Sequence, residues 1–355
     1  MKMKKLLIVL AVCSLIFCFA ACNTATVPGG AEDPNAEPEA EPVYNPLTNL
    51  QVDGPIEARM LLVSIGNSSD ARPQYGFSAA DIVYEVPAEG NIPRLLALFY
   101  SEVPDVIGGV RSARPYMIDI AQEWDALFVH CGGSQRALEI LASSGSVENL
   151  NEIANGSYFW RDNSRYAPHN LMTSKENLYQ YLADSGRAAV QDNVRQLNFL
   201  AEGETPAGAE ADWINLHYTD ANVVYTYDKT ISCYNRVVND EPFVDAGTGA
   251  SVKAANIIVQ KINSWLEDSD GHIAMDMCSG GEAYLFTGGT VQKGTWSRAN
   301  LDSPTIFVDE NGEEFKLSSG QTWIQIVDGN VGFSYKDTTP EATAPEGTTS
   351  ETETE

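Results

Sequence analysis

Positive charge is scarce in this chain. Its 355 residues hold 22 lysines and arginines against 49 aspartates and glutamates, a formal net charge of -27. A surface that acidic repels phosphate backbones and anionic headgroups. It excludes nucleic acid as a partner and adhesion to acidic lipid as a way of holding a membrane. Cysteine is thin as well, with six residues, of which Cys13, Cys18 and Cys22 crowd the N-terminus. Cys131, Cys233 and Cys278 remain, an odd number without CxxC spacing, so neither a disulfide framework nor a zinc site is indicated. Stability has to come from an apolar core. Histidine occurs four times. Gly-x-Ser-x-Gly, HExxH, Walker and dinucleotide fingerprints are missing. The apolar run Leu6–Phe17 falls short of the roughly 20 residues that a comfortable membrane span requires.

That run has a different use. Lys2, Lys4 and Lys5 precede it and Phe19-Ala20-Ala21-Cys22 follows it, the anatomy of a secretory signal over residues 1–21. Cleavage before Cys22 would leave that cysteine to be lipidated. The expectation is an extracytoplasmic protein, lipid-anchored to the cell membrane; a single transmembrane anchor is the alternative. Residues 22–50 read as a disordered acidic tether and 336–355 as a disordered acidic tail. Positions 23–46 and 337–355 hold eleven acids and no base, with much Pro, Thr, Ala and Gly. As a flexible coil the tether would hold the rest about 30 Å off the membrane.

Between the tails lie about 290 residues, enough for two ordinary domains. Residues 51–201 predict an α/β domain with a mixed sheet. Its strands are Arg59–Ile65, Ile82–Val86 paired with Leu95–Tyr100, and Leu127–His130. Its helices are Pro115–Trp124, a second opening at Gly132-Gly133 with Ser134 as N-cap, and Ser174–Leu182. Residues 202–211, rich in Gly, Ala, Glu and Pro, read as a linker. Residues 212–335 predict a mostly antiparallel β-rich domain with strands at 223–227, 231–236, 255–259, 283–286, 290–297, 305–308, 314–317 and 322–326. Tyr225, Tyr227, Trp296 and Trp323 fall at strand spacing and belong to its core.

The stretch from Asp81 to Gly133 carries the chemistry. Arg94, Arg111 and Arg114 form a local basic cluster in an otherwise acidic chain. Gly108-Gly109 lets backbone N–H groups approach an oxyanion, and the helix begun by Pro115 adds partial positive charge. Two guanidiniums three residues apart are good bidentate partners for phosphate or carboxylate. We therefore expect an anion site, phosphate-bearing by preference, in which Asp81 joins Arg94, Arg111 and Arg114. Asp81 also suits a magnesium ion bridging to phosphate. The alternative is that the arginines pair with Asp119, Glu123 or Asp125 as structural salt bridges. His130 and His169 are candidate ligand or proton-relay groups, with hydrogen-bonded core histidines as the alternative. Cys131 beside His130 is poorly placed as a nucleophile, because strand neighbours face opposite ways. Tyr158-Phe159-Trp160-Arg161, with Asn170 nearby, forms an aromatic and basic loop fit for a cell-wall glycan or a phosphate-linked precursor, or else a plug over a sheet edge.

Several runs resemble a known family. They are Ala71-Arg-Pro-Gln, Ala80-Asp-Ile-Val-Tyr-Glu-Val, Gly109-Val-Arg-Ser-Ala-Arg-Pro-Tyr, Val129-His-Cys-Gly-Gly-Ser, Phe159-Trp-Arg-Asp, Ala167-Pro-His-Asn and Gly320-Gln-Thr-Trp-Ile. Together they resemble the YerB-like lipoproteins of Gram-positive bacteria, a family of two domains without an assigned function. The first domain alone more distantly resembles the LytR-CpsA-Psr enzymes. That second resemblance implies glycopolymer transfer from polyprenyl-pyrophosphate carriers, with an Asp near magnesium and arginines on the pyrophosphate. Asp81 falls where the strand-opening Asp would be. Ala113-Arg114-Pro115 replaces that family's Pro-Arg-Asp loop, and its Lys-Ile-Asn before Gly-Gly is missing, departures that bear on catalysis more than on binding.

Overall fold

A computed structural model of the chain describes residues 42–336. The signal, Cys22 and the acidic tail from residue 337 on lie outside the described residues, as does the tether up to residue 41. The rest of the expected tether is ordered. Val43–Tyr44 pairs with Gln51–Val52, Leu47 is fully buried, and the Asn45 amide donates to the Asp81 carboxylate at 2.6 Å. Apolar residues spaced among the prolines give that segment something to bury.

The first region alternates strand and helix: β1 Leu61–Gly66, β2 Ile82–Val86, β3 Arg94–Phe99, α1 Pro115–Glu123, β4 Leu127–His130, α2 Gln135–Ser143, β5 Asn149–Asn151 and α3 Lys175–Asp184. The second is almost all strand: β6 Trp213–His217, β7 Asn222–Asp228, β8 Cys233–Val238, β9 Asn256–Lys261, β10 Gly281–Thr287, β11 Thr290–Ser297, β12 Thr322–Val327 and β13 Gly332–Lys336. The expected strand at 314–317 forms only isolated bridges, while β6 and β13 are strands that the periodicity does not flag. Helix starts follow local rules. Pro115 occupies the first turn of α1, and Ser134 and Ser174 accept hydrogen bonds from Ala137 N and Asn177 N at the starts of α2 and α3.

The two regions share one sheet of eleven strands. Its order is Ala209–Glu210, β11, β10, β9, β12, β2, β3, β1, β4, β5, with Ile306–Asp309 beside β11. The junction is a parallel pairing of β12 with β2 from Thr322↔Ile82 to Gln325↔Glu85. β1 runs parallel to β4 and antiparallel to β3, so the first region is mixed; apart from the β9–β12 pair, the second is antiparallel. Hydrogen bonding therefore continues across the two regions on either side of the expected linker at 202–211. A six-stranded second sheet contains β8, β7, β6 and β13 in that order.

Each face of the large sheet buries a different layer. Leu62, Leu96 and Leu98 pack with Met117, Ile120 and Ala121 of α1. Val63, Val83 and Ala97 point the other way, into the cluster holding Leu178 of α3 with Ile214 and Tyr225 of the second sheet. At ~1.5–3 kcal/mol for each fully buried large aliphatic side chain, these two layers supply the main folding drive. Alternation along the strands divides the residues between them.

Candidate anion site

The carboxyl ends of β1, β2 and β4 lie at one edge of the sheet, and the arginines collect there. Segment 109–111 runs beside the end of β1, with Gly66 N donating to Gly109 O at 3.0 Å and Arg111 N to Ser64 O at 2.8 Å. On its other side Cys131 N donates to Arg111 O at 3.0 Å, tying the segment to the end of β4. Glycine is needed twice here. A Cβ on Gly66 would meet Arg111 Cγ at 2.9 Å, and one on Gly109 would meet His169 O at 2.7 Å.

Arg94 opens β3, opposite the last residue of β2, and donates to Ser112 O at 3.1 Å. Its guanidinium lies 3.6 Å from Glu89, and Arg114 Nε contacts the other oxygen of the same carboxylate. Arg114 also donates to Ala113 O at 2.7 Å. Arg94 and Arg114 are buried, with side chains 9% and 8% exposed. Arg111 is half-buried, and its side chain makes no ion pair or hydrogen bond among the described residues. Two guanidiniums thus share one carboxylate, with a third charge close enough to act on Arg94.

The electrostatics record this crowding. Burial, then repulsion from Arg114 and Arg111, lowers Arg94 to about 10. Burial also lowers Arg111; the Cys131 side chain opposes this and the charge of Arg114 adds to it. Burial alone would raise the Glu89 carboxyl, but the Arg114 hydrogen bond and the Arg114 and Arg94 charges outweigh it and hold Glu89 below its ordinary value.

Asp81 does not join the cluster. It precedes β2, whose five residues put roughly 16 Å of strand between it and the arginine edge. Its oxygens are filled by Asn45 Nδ2 (2.6 Å), Ser101 Oγ (2.6 Å), Tyr100 N (2.6 Å) and Ser101 N (3.1 Å). Asp81 is a buried clasp for the 100–101 turn and the N-terminal segment, neither a partner of the arginines nor a free metal ligand. His130 is also withdrawn. It is fully buried and stacked on Phe128 at 5.1 Å, with Nδ1 2.7 Å from Gly132 O and Nε2 3.3 Å from Asn149 Oδ1. Burial lowers its pKa, and its hydrogen bonds to Gly132 and Asn149 oppose this only in part, so it is a hydrogen-bonded core histidine.

The 158–170 loop flanks the site. Arg161 donates to Asn170 Oδ1 at 3.2 Å and pairs with Glu152 at 3.6 Å, so neither Arg161 nor Asn170 is free of protein partners. His169 lies against Gly109; its Nδ1 is buried without a hydrogen-bond partner among the described residues. Burial and then the Arg111 charge lower its pKa. His169 also lines a groove of about 700 Å³ with Tyr75, Arg165 and Tyr166. Cys131 donates to Glu152 Oε2 at 3.1 Å, and burial with that carboxylate pushes its thiol up to about 11, which keeps it protonated.

Asp119, Glu123 and Asp125 are not the partners of Arg111 and Arg114. Glu123 pairs with Arg195 and Arg298, and Asp125 with Arg59. The carboxylate that reasoning from sequence misses is Glu89. Its only signal is its place in Ala88-Glu89-Gly90-Asn91, between the paired strands β2 and β3, which delivers it to the sheet edge where Arg94 begins.

Comparison with known proteins gives a consistent result. Residues 47–188 match the model described as "Protein of unknown function (DUF3048) N-terminal domain", and residues 214–324 match the DUF3048 C-terminal domain. The chain is 33% identical over 332 residues to "Putative lipoprotein YerB" of Bacillus subtilis (strain 168), covering 92% of this chain and 96% of that protein. The crystal structure of the YerB protein from Bacillus subtilis superposes with a TM-score of 0.75 at 32% identity, over 82% of this chain and 99% of that one.

Proposed function

We propose, for a chain that belongs to the DUF3048 family through both its N-terminal and its C-terminal domain, that it is an extracytoplasmic lipoprotein binding an anionic, phosphate-bearing envelope ligand through Arg94, Arg111 and Arg114. One observation carries this. In a protein of net charge -27, a half-buried arginine makes no ion pair among the described residues and stands beside two buried arginines that share one carboxylate. Uncompensated buried charge is costly, and an anion delivered to that edge would relieve it. Ligands of α/β sheets gather at the carboxyl ends of parallel strands. Anchoring through Cys22 is supported by the signal at residues 1–21 and by the lipoprotein naming of the relative.

The alternative is phosphotransfer on polyprenyl-pyrophosphate-linked glycan precursors. It needs a metal-binding carboxylate at the arginine edge, and Glu89, not Asp81, is the acid standing there. Binding without turnover needs only the arginines.

Titration calorimetry with inorganic pyrophosphate tests the proposal. A charge-assisted hydrogen bond is worth about 1.5–3 kcal/mol, so Arg111→Ala should weaken binding roughly ten- to a hundredfold with the fold intact. Asp81→Ala should lower stability and leave the affinity of the folded protein unchanged. Equal affinities for wild type and Arg111→Ala would refute the proposal.

A further inference from the structure

We infer that Glu89 sets the affinity threshold of the anion site: it is a built-in competing anion that a ligand must displace from Arg94 and Arg114. This rests on the anion-site proposal and goes beyond it by setting how strongly an anion must bind to be admitted. Glu89 bridges both buried arginines, one through each carboxylate oxygen, and so occupies the position that a bidentate phosphate oxygen pair would take. Its own side chain is 27% exposed, so solvent already reaches the place from which it would leave. Arg111 is the open end of the cluster, where an incoming anion meets an uncommitted guanidinium first.

The loop that carries Glu89 is anchored independently of the ion pair. Ala88 N donates to Ile92 O at 3.2 Å, and Asn91 Nδ2 donates to Asn330 O at 3.0 Å. Glu89 can therefore swing out by side-chain rotation while its backbone stays held. A carboxylate clasped by two arginines is displaced by an anion of higher charge far more readily than by another monoanion. Only an anion that grips the arginines strongly enough to offset that displacement, such as pyrophosphate or a phosphomonoester, is then held, while singly charged carboxylates and phosphodiesters fall below the threshold.

The test compares full-length wild type with Glu89→Gln by calorimetry, using inorganic pyrophosphate and dimethyl phosphate as probes. Removing the internal competitor should tighten pyrophosphate binding about tenfold. It should also tighten dimethyl phosphate, bound at least tenfold more weakly than pyrophosphate by wild type, by about the same factor, because both ligands escape the same displacement. Glu89→Asp, too short to span both arginines, should fall between the two and serves if Glu89→Gln folds poorly. Unchanged or weaker pyrophosphate binding by these variants, with wild type binding normally, would make Glu89 a support for the arginines and overturn the inference alone. No pyrophosphate binding by wild type or by any variant would overturn the anion-site proposal with it.

Discussion

At the scale of single residues, burial decides which charged groups are available. Asp81 and Glu89 are both carboxylates beside strands of the same hairpin, yet one is saturated by four donors and the other bridges two cations. Asp119 is a third case. Burial raises its carboxyl to about 6, and the Arg298 charge only partly opposes this. The folded state then holds its proton more tightly than the unfolded chain. The stability it contributes is complete below about pH 4 and is lost as pH rises through about 6. Each tenfold change in proton affinity is worth ~1.36 kcal/mol. Asp119→Asn should accordingly stabilise the protein by about 1–3 kcal/mol at pH 7.5 and have little effect at pH 4. Urea unfolding at the two pH values measures this. An equal effect at both would mean that Asp119 acts through contacts and not through its charge.

At the scale of elements, much is legible in the sequence. The bounds of β4 and the first turn of α1 follow from an apolar run, a glycine pair and a proline. Gathering Arg94, Arg111 and Arg114 also follows, because each begins or precedes an element at the same sheet edge. Placing Asp81 with them is wrong, although the means to correct it stand in the same residues. Asp81 opens β2 and Arg94 opens its antiparallel partner, and antiparallel strands start at opposite ends. Glu89 is not legible, since nothing in a loop glutamate says which of several nearby cations it will reach. Neither is the order of residues 42–50, where two prolines following an acidic stretch point to disorder while Leu47 and Asn45 have partners far along the chain.

At the scale of the whole molecule, the family's two domains are joined through one sheet. The β2–β12 pairing links them, and so does a buried ion pair between Glu85 and Arg236 at 2.9 Å, with side chains 0% and 1% exposed. Arg236 lies over the rings of Tyr225, Phe243 and Trp323, the last at 4.4 Å, and donates to Tyr225 Oη at 2.6 Å. Removing one partner of such a pair strands the other charge, at about 3–5 kcal/mol. Arg236→Ala should therefore lower the stability of both regions together, in one calorimetric transition; two transitions, with only the second shifted, would show that they fold separately. The proposed anion site lies on the first region's part of this joined sheet. Diffraction from crystals soaked in tungstate, a dianion visible by its anomalous signal, tests its existence most directly. Tungstate density within hydrogen-bonding reach of Arg111, with Glu89 turned away from Arg94 and Arg114, is the expected result. Tungstate bound elsewhere, with the Arg111 guanidinium left in solvent and Glu89 unmoved, would contradict it.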